Sequence, residues 1–124
     1  MIKKIKTEKA PAAIGPYSQA IAAGDFVYTS GQIPLLPATG EIVGNTVAEQ
    51  TEAVIQNLKE VLLAANSSLE KVVKTTCFLT DMKSFQEFNA VYEKHFTSQP
   101  ARSCVEVSAL PKGVLVEIEA VAVM

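Results

Sequence analysis

Several residues whose types could do chemistry lie within the most apolar part of the chain, residues 99–123. This stretch is rich in β-branched residues at spacings typical of strands, yet it contains Arg102, Cys104, Glu117 and Glu119. Charged side chains are seldom buried unless they are paired with a partner. The guanidinium and the carboxylates are therefore either paired with one another or available to bind and transform a ligand.

Two roles are open for Arg102. It could form a partly buried ion pair with Glu117 or Glu119, although desolvation offsets much of that attraction. It could instead present its planar fork to a ligand carboxylate, with a bidentate geometry that lysine does not match. The choice depends on whether the two strands face the same space. The short connection "ALPKG" favours a simple hairpin, and a longer crossover is the alternative.

Two further candidates for chemistry are a thiol and a Ser-Gly step. The thiol of Cys104 is either a small buried hydrophobe or a nucleophile, but a nucleophile needs an activating base and His95 is the only histidine. Ser30 and Gly31 follow a predicted strand. There, Gly31 would let a ligand approach the backbone and Ser30 would donate a hydrogen bond to it.

Missing residue types narrow the chemistry further. One histidine and two cysteines leave no zinc-binding set, and the chain has neither a glycine-rich nucleotide motif nor a G-x-S-x-G elbow. We therefore expect no metal and no cofactor. The net charge is −2, and the only lysine cluster, Lys3 to Lys9, is predicted to be a solvated first strand. A phosphate-backbone binder normally shows a basic stripe, so nucleic acid is not an expected partner.

The elements that must position these residues follow from periodicity. A tight II′ hairpin is predicted at Gly24-Asp25, and a strand is predicted over residues 71–80. The first helix begins with a capping box, Thr46 and Glu49, and ends near Asn66; its inner stripe is Val54, Ile55, Leu58, Val61, Leu62 and Ala65. The second has a possible capping box at Ser84 and Glu87, with Phe85, Phe88, Tyr92 and Phe96 on its inner stripe.

This order of elements predicts a single domain, residues 1–124, of the α+β class. The economical arrangement is a mixed β-sheet with two helices packed on one face and some parallel pairing through right-handed crossovers. The other face of the sheet then lacks a cover. Hydrophobic residues make up 48% of the chain, which favours an oligomer in which sheets pack between subunits. A monomer with an apolar surface is the alternative.

The N-terminal residues, the lengths of the apolar runs and the number of cysteines predict the cellular setting. The start "MIKKIKTEKAP" has no apolar signal region, and no apolar run approaches the length of a membrane span. Two cysteines in such a chain are expected to be reduced thiols. We therefore expect a cytoplasmic protein with no membrane partner.

Four segments together resemble the RidA (YjgF-type) family of imine and enamine deaminases over essentially the whole chain. They are "APAAIGPYSQAI" (10–21), "VYTSGQIP" (27–34), "FNAVYEKHF" (88–96) and, most specifically, "PARSCVEVSALPKGVLVEIEAVA" (100–122). The resemblance implies a chorismate-mutase-like subunit whose last strand is inserted between earlier ones. It also implies a homotrimer with sites in the clefts between subunits.

The activity implied by the resemblance is hydrolysis of 2-imino acids to 2-keto acids and ammonia, without a cofactor. Carried over residue by residue, Arg102 would hold the substrate carboxylate and Glu117 would orient or deprotonate the attacking water. The remaining pocket residues would be Tyr17, Ser30, Gly31 and Cys104, with Cys104 contributing mainly its backbone. An imine carbon is already electrophilic, so positioning and one carboxylate suffice for this chemistry.

Two functions of other classes stay open at this point. Some relatives have been described as ribonucleases or translation inhibitors, although the acidic charge balance and the lack of a basic stripe disfavour this function here. The same pocket could also serve a ligand-binding or chaperone-like module without turnover. The preferred imino acid, and whether the role is metabolite damage control, are not determined by the sequence.

Overall fold

The computed structural model describes residues 1–124 and contains six strands and two α-helices. The elements in chain order are β1 (Ile2–Ile5), β2 (Ala20–Ala23), β3 (Phe26–Thr29), α1 (Val47–Ala64), β4 (Val72–Leu79), α2 (Phe85–His95), β5 (Ala101–Glu106) and β6 (Val116–Val123). One mixed sheet has the order β1-β2-β3-β6-β4-β5. Only β4 and β5 are parallel, joined through α2, and the other neighbours are antiparallel. The predicted α+β class with a mixed sheet is confirmed.

The predicted hairpin joins β2 to β3 through Gly24 and Asp25. Gly24 has φ +59°, whereas Asp25 is not among the residues with positive φ. A positive φ at only the first of two loop residues is the pattern of a type II′ turn, which glycine adopts without steric penalty. The hairpin continues into β1, where Lys3 and Lys4 are exposed, as expected for a solvated first strand.

The first helix begins and ends as its sequence predicts. The Thr46 side chain accepts a hydrogen bond from the backbone N–H of Glu49, which satisfies one of the free donors at the helix start. All six residues of the predicted inner stripe are buried. Just beyond the helix end, Asn66 has φ +61°, a left-handed conformation that asparagine tolerates better than most residues and that stops the helix.

The second helix begins differently from the prediction. Ser84 makes no side-chain capping bond, so the predicted capping box with Glu87 is wrong. Glu87 instead accepts a 2.9 Å hydrogen bond from the backbone N–H of Ala48, in the first turn of α1. A carboxylate is favourable near a helix N-terminus because of the helix dipole. The contact therefore joins the two helices, and it depends on tertiary packing that local sequence does not reveal.

The last two strands are not a hairpin. β6 lies between β3 and β4, whereas β5 lies at the edge of the sheet. Burial explains the difference: Val116, Ile118, Ala120 and Ala122 of β6 are all buried, as expected of a central strand, and no residue of β5 is. The hairpin expectation was therefore wrong, and the insertion implied by the family resemblance is confirmed.

The helices cover one face of the sheet and leave the other open. α1 packs on β3 and β6, and α2 contacts β4 through a 2.7 Å hydrogen bond between the hydroxyls of Tyr92 and Thr75. The register places the open-face residues opposite one another; the more apolar of them are Ile21, Phe26, Tyr28, Phe78, Val105, Val121 and Val123. Phe26 and Tyr28 are 39% and 48% exposed. None of the helices is both long and apolar enough to cross a bilayer.

Candidate functional site

Arg102 extends from β5 toward α2, where uncharged groups hold it. Its Nη1 donates a 2.7 Å hydrogen bond to the Oδ1 of Asn89. The guanidinium carbon lies 4.8 Å from the ring centroid of Tyr92 and 5.4 Å from that of Phe85. Cation–π contacts of this kind orient a guanidinium without neutralising it.

No acidic side chain forms an ion pair with Arg102. The only contact of salt-bridge length in the chain is the 2.8 Å hydrogen bond between the Nε2 of His95 and the carboxylate of Glu52, on the exposed side of the two helices. The expected alternative of an internal ion pair between Arg102 and Glu117 or Glu119 is therefore wrong. A half-buried guanidinium keeps four of its five N–H donors beyond the bond to Asn89. It is available to a carboxylate from outside the chain.

The backbone beside Arg102 adds further donors. The N–H of Val107 donates to the carbonyl of Leu79 on β4 at 2.8 Å. Since successive N–H groups along a strand point to opposite edges, those of Arg102 and Cys104 point away from β4, at the free edge of the sheet. Backbone donors and the guanidinium therefore lie together on β5, which fits a backbone role for Cys104.

Glu117 lies on the open face of β6, opposite Phe78 of β4. It is half-buried, and this burial raises the pKa of its carboxyl above the ordinary value; the negative charge of Glu119 raises it further. No cation forms a salt bridge with Glu117. A carboxylate with a raised pKa accepts a proton more readily near neutral pH. Its protonated form is also populated more at that pH, so it can donate the proton back.

Gly31 lies directly against the Glu117 carboxylate. A methyl group at position 31 would approach within 2.7 Å of the carboxyl carbon of Glu117, so a larger residue here would displace the carboxylate. Two backbone hydrogen bonds between Gln32 and Ile118, of 2.8 and 3.1 Å, fix this contact. The glycine was expected to let a ligand approach the backbone. The structure adds that it makes room for the candidate catalytic carboxylate.

Ser30 holds the loop that carries Tyr17. Its hydroxyl donates a 2.6 Å hydrogen bond to the carbonyl of Ser18, and its N–H donates to the carbonyl of Gln19. A hydroxyl has one proton, so the expected donation from Ser30 to a ligand is not available in this arrangement. Ser30 can still accept a hydrogen bond, but the observed geometry gives it a positioning role.

Tyr17 is the most prominent aromatic residue near this group. It is 53% exposed, and its hydroxyl accepts a hydrogen bond of 3.4 Å from the N–H of Ile14. Beside it is a cavity of about 330 Å³ whose lining includes Tyr17, Gly31, Ile33 and Leu35. Tyr17, Ser30, Gly31 and Glu117 therefore occupy one region of the protein.

The predicted residues form two groups on opposite faces of the sheet. Cys104 pairs with Cys77, which pairs with the buried Ile118, so Cys104 and Arg102 face the helices. Glu117, one position before Ile118, faces the open side. Within one chain, the structure therefore brings Arg102 to Cys104, and Glu117 to Gly31, but does not bring the two groups together.

Sequence reasoning missed the groups that hold Arg102. Phe85 and Tyr92 were assigned only to the inner stripe of the second helix, and Asn89 was assigned no role. A signal was present: Asn89 lies four residues after Phe85 and three before Tyr92, so a polar amide interrupts an aromatic face.

As for metals, no cluster of three or more potential ligands of the His, Cys, Asp or Glu type exists in the chain.

Comparison with known proteins places this arrangement in a family. The family model described as "Endoribonuclease L-PSP" matches residues 7–124. The chain belongs to the endoribonuclease L-PSP family. This family includes the RidA and YjgF proteins, so the resemblance inferred from the four segments is confirmed.

Similar members of the endoribonuclease L-PSP family carry different names. A RutC family protein of Pyrococcus abyssi is 55% identical, with 95% of this chain and 94% of the relative covered. The 2-iminobutanoate/2-iminopropanoate deaminase of Escherichia coli is 50% identical, with 99% and 98% covered. The crystal structure of E. coli TdcF with bound serine has a TM-score of 0.93 at 45% identity, with 98% of each chain covered. The fold is thus shared, whereas the relatives' names do not agree on one activity.

Proposed function

We propose that this protein is an imine deaminase that hydrolyses 2-imino acids to 2-keto acids and ammonia without a cofactor. The observation that carries the proposal is the neutral setting of Arg102: an amide oxygen and two aromatic rings hold the guanidinium, and no acid neutralises it. A cation kept in this way favours a small anionic ligand. Its proposed partner in catalysis is Glu117, whose raised pKa suits proton transfer.

The proposed active unit is a homotrimer with its sites between protomers. Arg102 and Glu117 lie on opposite faces of one sheet, so a small substrate cannot contact both within one chain. A composite site solves this problem if one protomer supplies Arg102 and the Cys104 backbone N–H, and its neighbour supplies Glu117, Gly31 and Tyr17. The exposed apolar residues of the open face support such packing, because it would remove them from water.

Substrate binding in this proposal depends on the carboxylate that all 2-imino acids share. The free N–H groups of Arg102 and the outward N–H of Cys104 donate to its oxygens. A charge-assisted hydrogen bond of this kind is worth about 1.5–3 kcal/mol. Anchoring the carboxylate fixes the neighbouring imine carbon relative to Glu117 of the adjacent protomer, and such positioning supplies much of the acceleration in a site of this type.

Water is the proposed nucleophile. As its oxygen bonds to the electrophilic C2 of the protonated imine, the Glu117 carboxylate accepts one of its protons, which gives a neutral carbinolamine. Glu117 then returns the proton to the amino nitrogen. The C2–N bond breaks as the hydroxyl gives its proton to the Glu117 carboxylate, so the keto group forms and ammonia leaves. The ammonia then takes this proton from Glu117, which restores the carboxylate. The same carboxylate therefore accepts and donates, which a raised pKa makes easier at neutral pH.

The decisive experiment generates 2-aminoacrylate in the assay with a pyridoxal-dependent dehydratase and follows its conversion to pyruvate. The wild-type protein should accelerate the final hydrolysis over buffer, and Arg102→Ala should lose most of that acceleration. Lys59→Ala, which removes an exposed cation from α1, serves as the matched control with the same loss of charge.

Two results would contradict the proposal. One is that the wild type, Arg102→Ala and buffer give the same rate of pyruvate formation. The other is that highly purified protein cleaves RNA, loses this cleavage with Arg102→Ala, and leaves imines untouched. A protein that binds 2-keto acids tightly but shows no turnover would instead be a binding module.

A further inference from the structure

Cys77 and Cys104 lie side by side on neighbouring strands. They are direct partners in the parallel register of β4 and β5, and both are free thiols. Cys77 belongs to the buried core beneath the helices, and Cys104 packs against the same core from the edge strand. The proposed hydrolysis uses no thiol, so the pair is unexplained by that reaction.

The spacing of this pair is close to what a disulfide requires. Neighbouring strands lie about 4.8 Å apart, which falls within the range of about 4.4–6.8 Å between the Cα atoms of bridged cysteines. Both side chains leave the sheet on the same face. The Cβ atoms must approach to about 3.8 Å, closer than the strand spacing, so bond formation requires β5 to move toward β4.

The position of β5 permits such a movement. It is the last strand of the sheet and is hydrogen-bonded on one side only, whereas β4 is held between β5 and β6. A disulfide that displaces its own strand is strained. Strained disulfides are more easily reduced than structural ones and are typical of regulatory sites. The geometry therefore favours a reversible bond over a permanent crosslink.

We propose that Cys77 and Cys104 form a peroxide-sensitive dithiol site, which closes to an intramolecular disulfide and thereby displaces Arg102. In the first step, the Cys104 thiolate attacks hydrogen peroxide, forming a sulfenic acid and releasing hydroxide. In the second, the Cys77 sulfur displaces the sulfenic oxygen, which leaves as water. Overall, two thiols and one hydrogen peroxide give one disulfide and two waters.

The order of the two steps follows from exposure. Cys104 is partly exposed, whereas Cys77 is fully buried and its thiol is shielded from a dissolved oxidant. Burial raises the pKa of Cys77 to about 12 and also raises that of Cys104. Little thiolate exists at neutral pH, so the site responds to sustained peroxide and not to brief exposure.

The proposed disulfide would affect Arg102, which lies two residues before Cys104 in β5. Arg102 and Cys104 share β5, so a shift of this strand toward β4 changes the position of the guanidinium relative to Asn89 and to the ring of Tyr92. This consequence rests on the proposed function. If Arg102 binds the substrate, its misplacement should lower kcat/KM by about tenfold or more.

The chemical part of the proposal is tested without any activity assay. Wild-type protein is treated with hydrogen peroxide, denatured in the presence of an alkylating agent and analysed by mass spectrometry. We expect an intact mass lower by about 2 Da, no alkylatable thiol, and full reversal by dithiothreitol. Trypsin should release peptides 75–83 and 103–112 as one crosslinked species. If only oxygen adducts of Cys104 or crosslinks between chains are found, the proposal is wrong.

A cysteine variant separates the disulfide from simple damage to Cys104. Cys77→Val retains a residue of similar volume in the core and should keep the imine-hydrolysing activity of the reduced protein. Under peroxide it should gain oxygen on Cys104, detectable by dimedone, and no disulfide. We expect dithiothreitol to restore the activity of oxidised wild type completely. If oxidised wild type forms the disulfide yet keeps its full kcat/KM, the displacement of Arg102 is refuted while the deaminase function stands.

Discussion

The Nη1 of Arg102 donates to the Oδ1 of Asn89 over 2.7 Å, so an amide, and not an acid, fixes the only guanidinium in the chain. An amide oxygen positions the cation but leaves its charge uncompensated. The aromatic rings of Phe85 and Tyr92 act in the same way. Such an uncompensated setting is what the proposed role of Arg102 in binding an anion requires, and an ion pair within the chain would not provide it.

The substitution Asn89→Asp tests whether this neutrality matters. The new carboxylate has the same shape as the amide but would pair with Arg102 and compete with the substrate carboxylate. We expect KM for a 2-imino acid to rise by about 10- to 100-fold, corresponding to about 1.5–3 kcal/mol of lost interaction, with a smaller change in kcat. Steady-state kinetics and calorimetric binding of a 2-keto acid measure the effect. Asn45→Asp, at an exposed position, is the matched control and should change neither quantity.

The substitution Glu117→Gln should separate binding from catalysis. It removes the proposed proton acceptor while keeping size and shape, so kcat should fall by about 10²- to 10⁴-fold while 2-keto acid affinity changes little. Burial raises the pKa of Glu117, so its ionised form opposes folding above that pKa. The variant should therefore unfold at higher denaturant concentration than wild type at neutral pH, and this difference should vanish below the ordinary pKa of glutamate. An equal loss of kcat and affinity would argue against a role in proton transfer.

The pH dependence of kcat/KM should report the influence of Glu119 on Glu117. In the proposed mechanism deprotonated Glu117 is the active form, so the rate should fall on the acid side, and this limb should lie above the ordinary pKa of glutamate. Since the charge of Glu119 raises the pKa of Glu117, Glu119→Gln should move the limb to lower pH. A pH–rate profile of each protein measures this. An unmoved limb would mean that another group controls the profile.

The substitution Gly31→Ala should damage the site through one contact. Its methyl group would overlap the Glu117 carboxylate, so the two backbones or the carboxylate must shift. We expect destabilisation of about 1–3 kcal/mol and loss of most activity. Denaturant unfolding checks the contact in a double-mutant cycle: in a Glu117→Ala background, Gly31→Ala should destabilise far less. If both backgrounds lose the same stability, the glycine is required for another reason.

The fold was predictable where local patterns carried the information. The 3.6-residue stripe of the first helix, the turn at Gly24 and the α+β class needed only short stretches of sequence and simple packing rules. The position of β6 between β3 and β4 was not available from the residues alone, because strand order is decided by long-range burial. The family resemblance supplied it. The Glu87 contact to Ala48 was missed for the same reason, since it joins residues far apart in sequence.

The candidate site shows a similar division. Residue types identified Arg102 and Glu117 as chemically unusual, and alternation assigned each to one side of its strand. The sequence did not reveal that Arg102 and Glu117 lie on opposite faces of the sheet. The relative orientation of β5 and β6 is fixed only by how each of them pairs with β4, which lies between them. Nor did the sequence reveal that the Ser30 hydroxyl is committed to the Ser18 carbonyl.

The location of Arg102 and Glu117 on opposite faces of the sheet leads to the sharpest prediction. If each site takes Arg102 from one protomer and Glu117 from the next, Arg102→Ala and Glu117→Ala proteins are each inactive for a different reason. Mixed trimers formed by refolding them together should contain some sites with both residues intact. Random assortment at equal amounts gives about one quarter of all sites, so about one quarter of the wild-type rate should return.

Control mixtures show whether any recovered activity comes from sites shared between two protomers. Arg102→Ala mixed with itself, and Glu117→Ala mixed with itself, control for recovery on refolding and should stay inactive. Mixing either variant with the double variant should restore nothing, because the double variant supplies neither missing group. Native mass spectrometry of differently tagged chains confirms that mixed assemblies have formed. If they form without recovery of activity, the two residues do not meet across an interface, and the composite site must be abandoned.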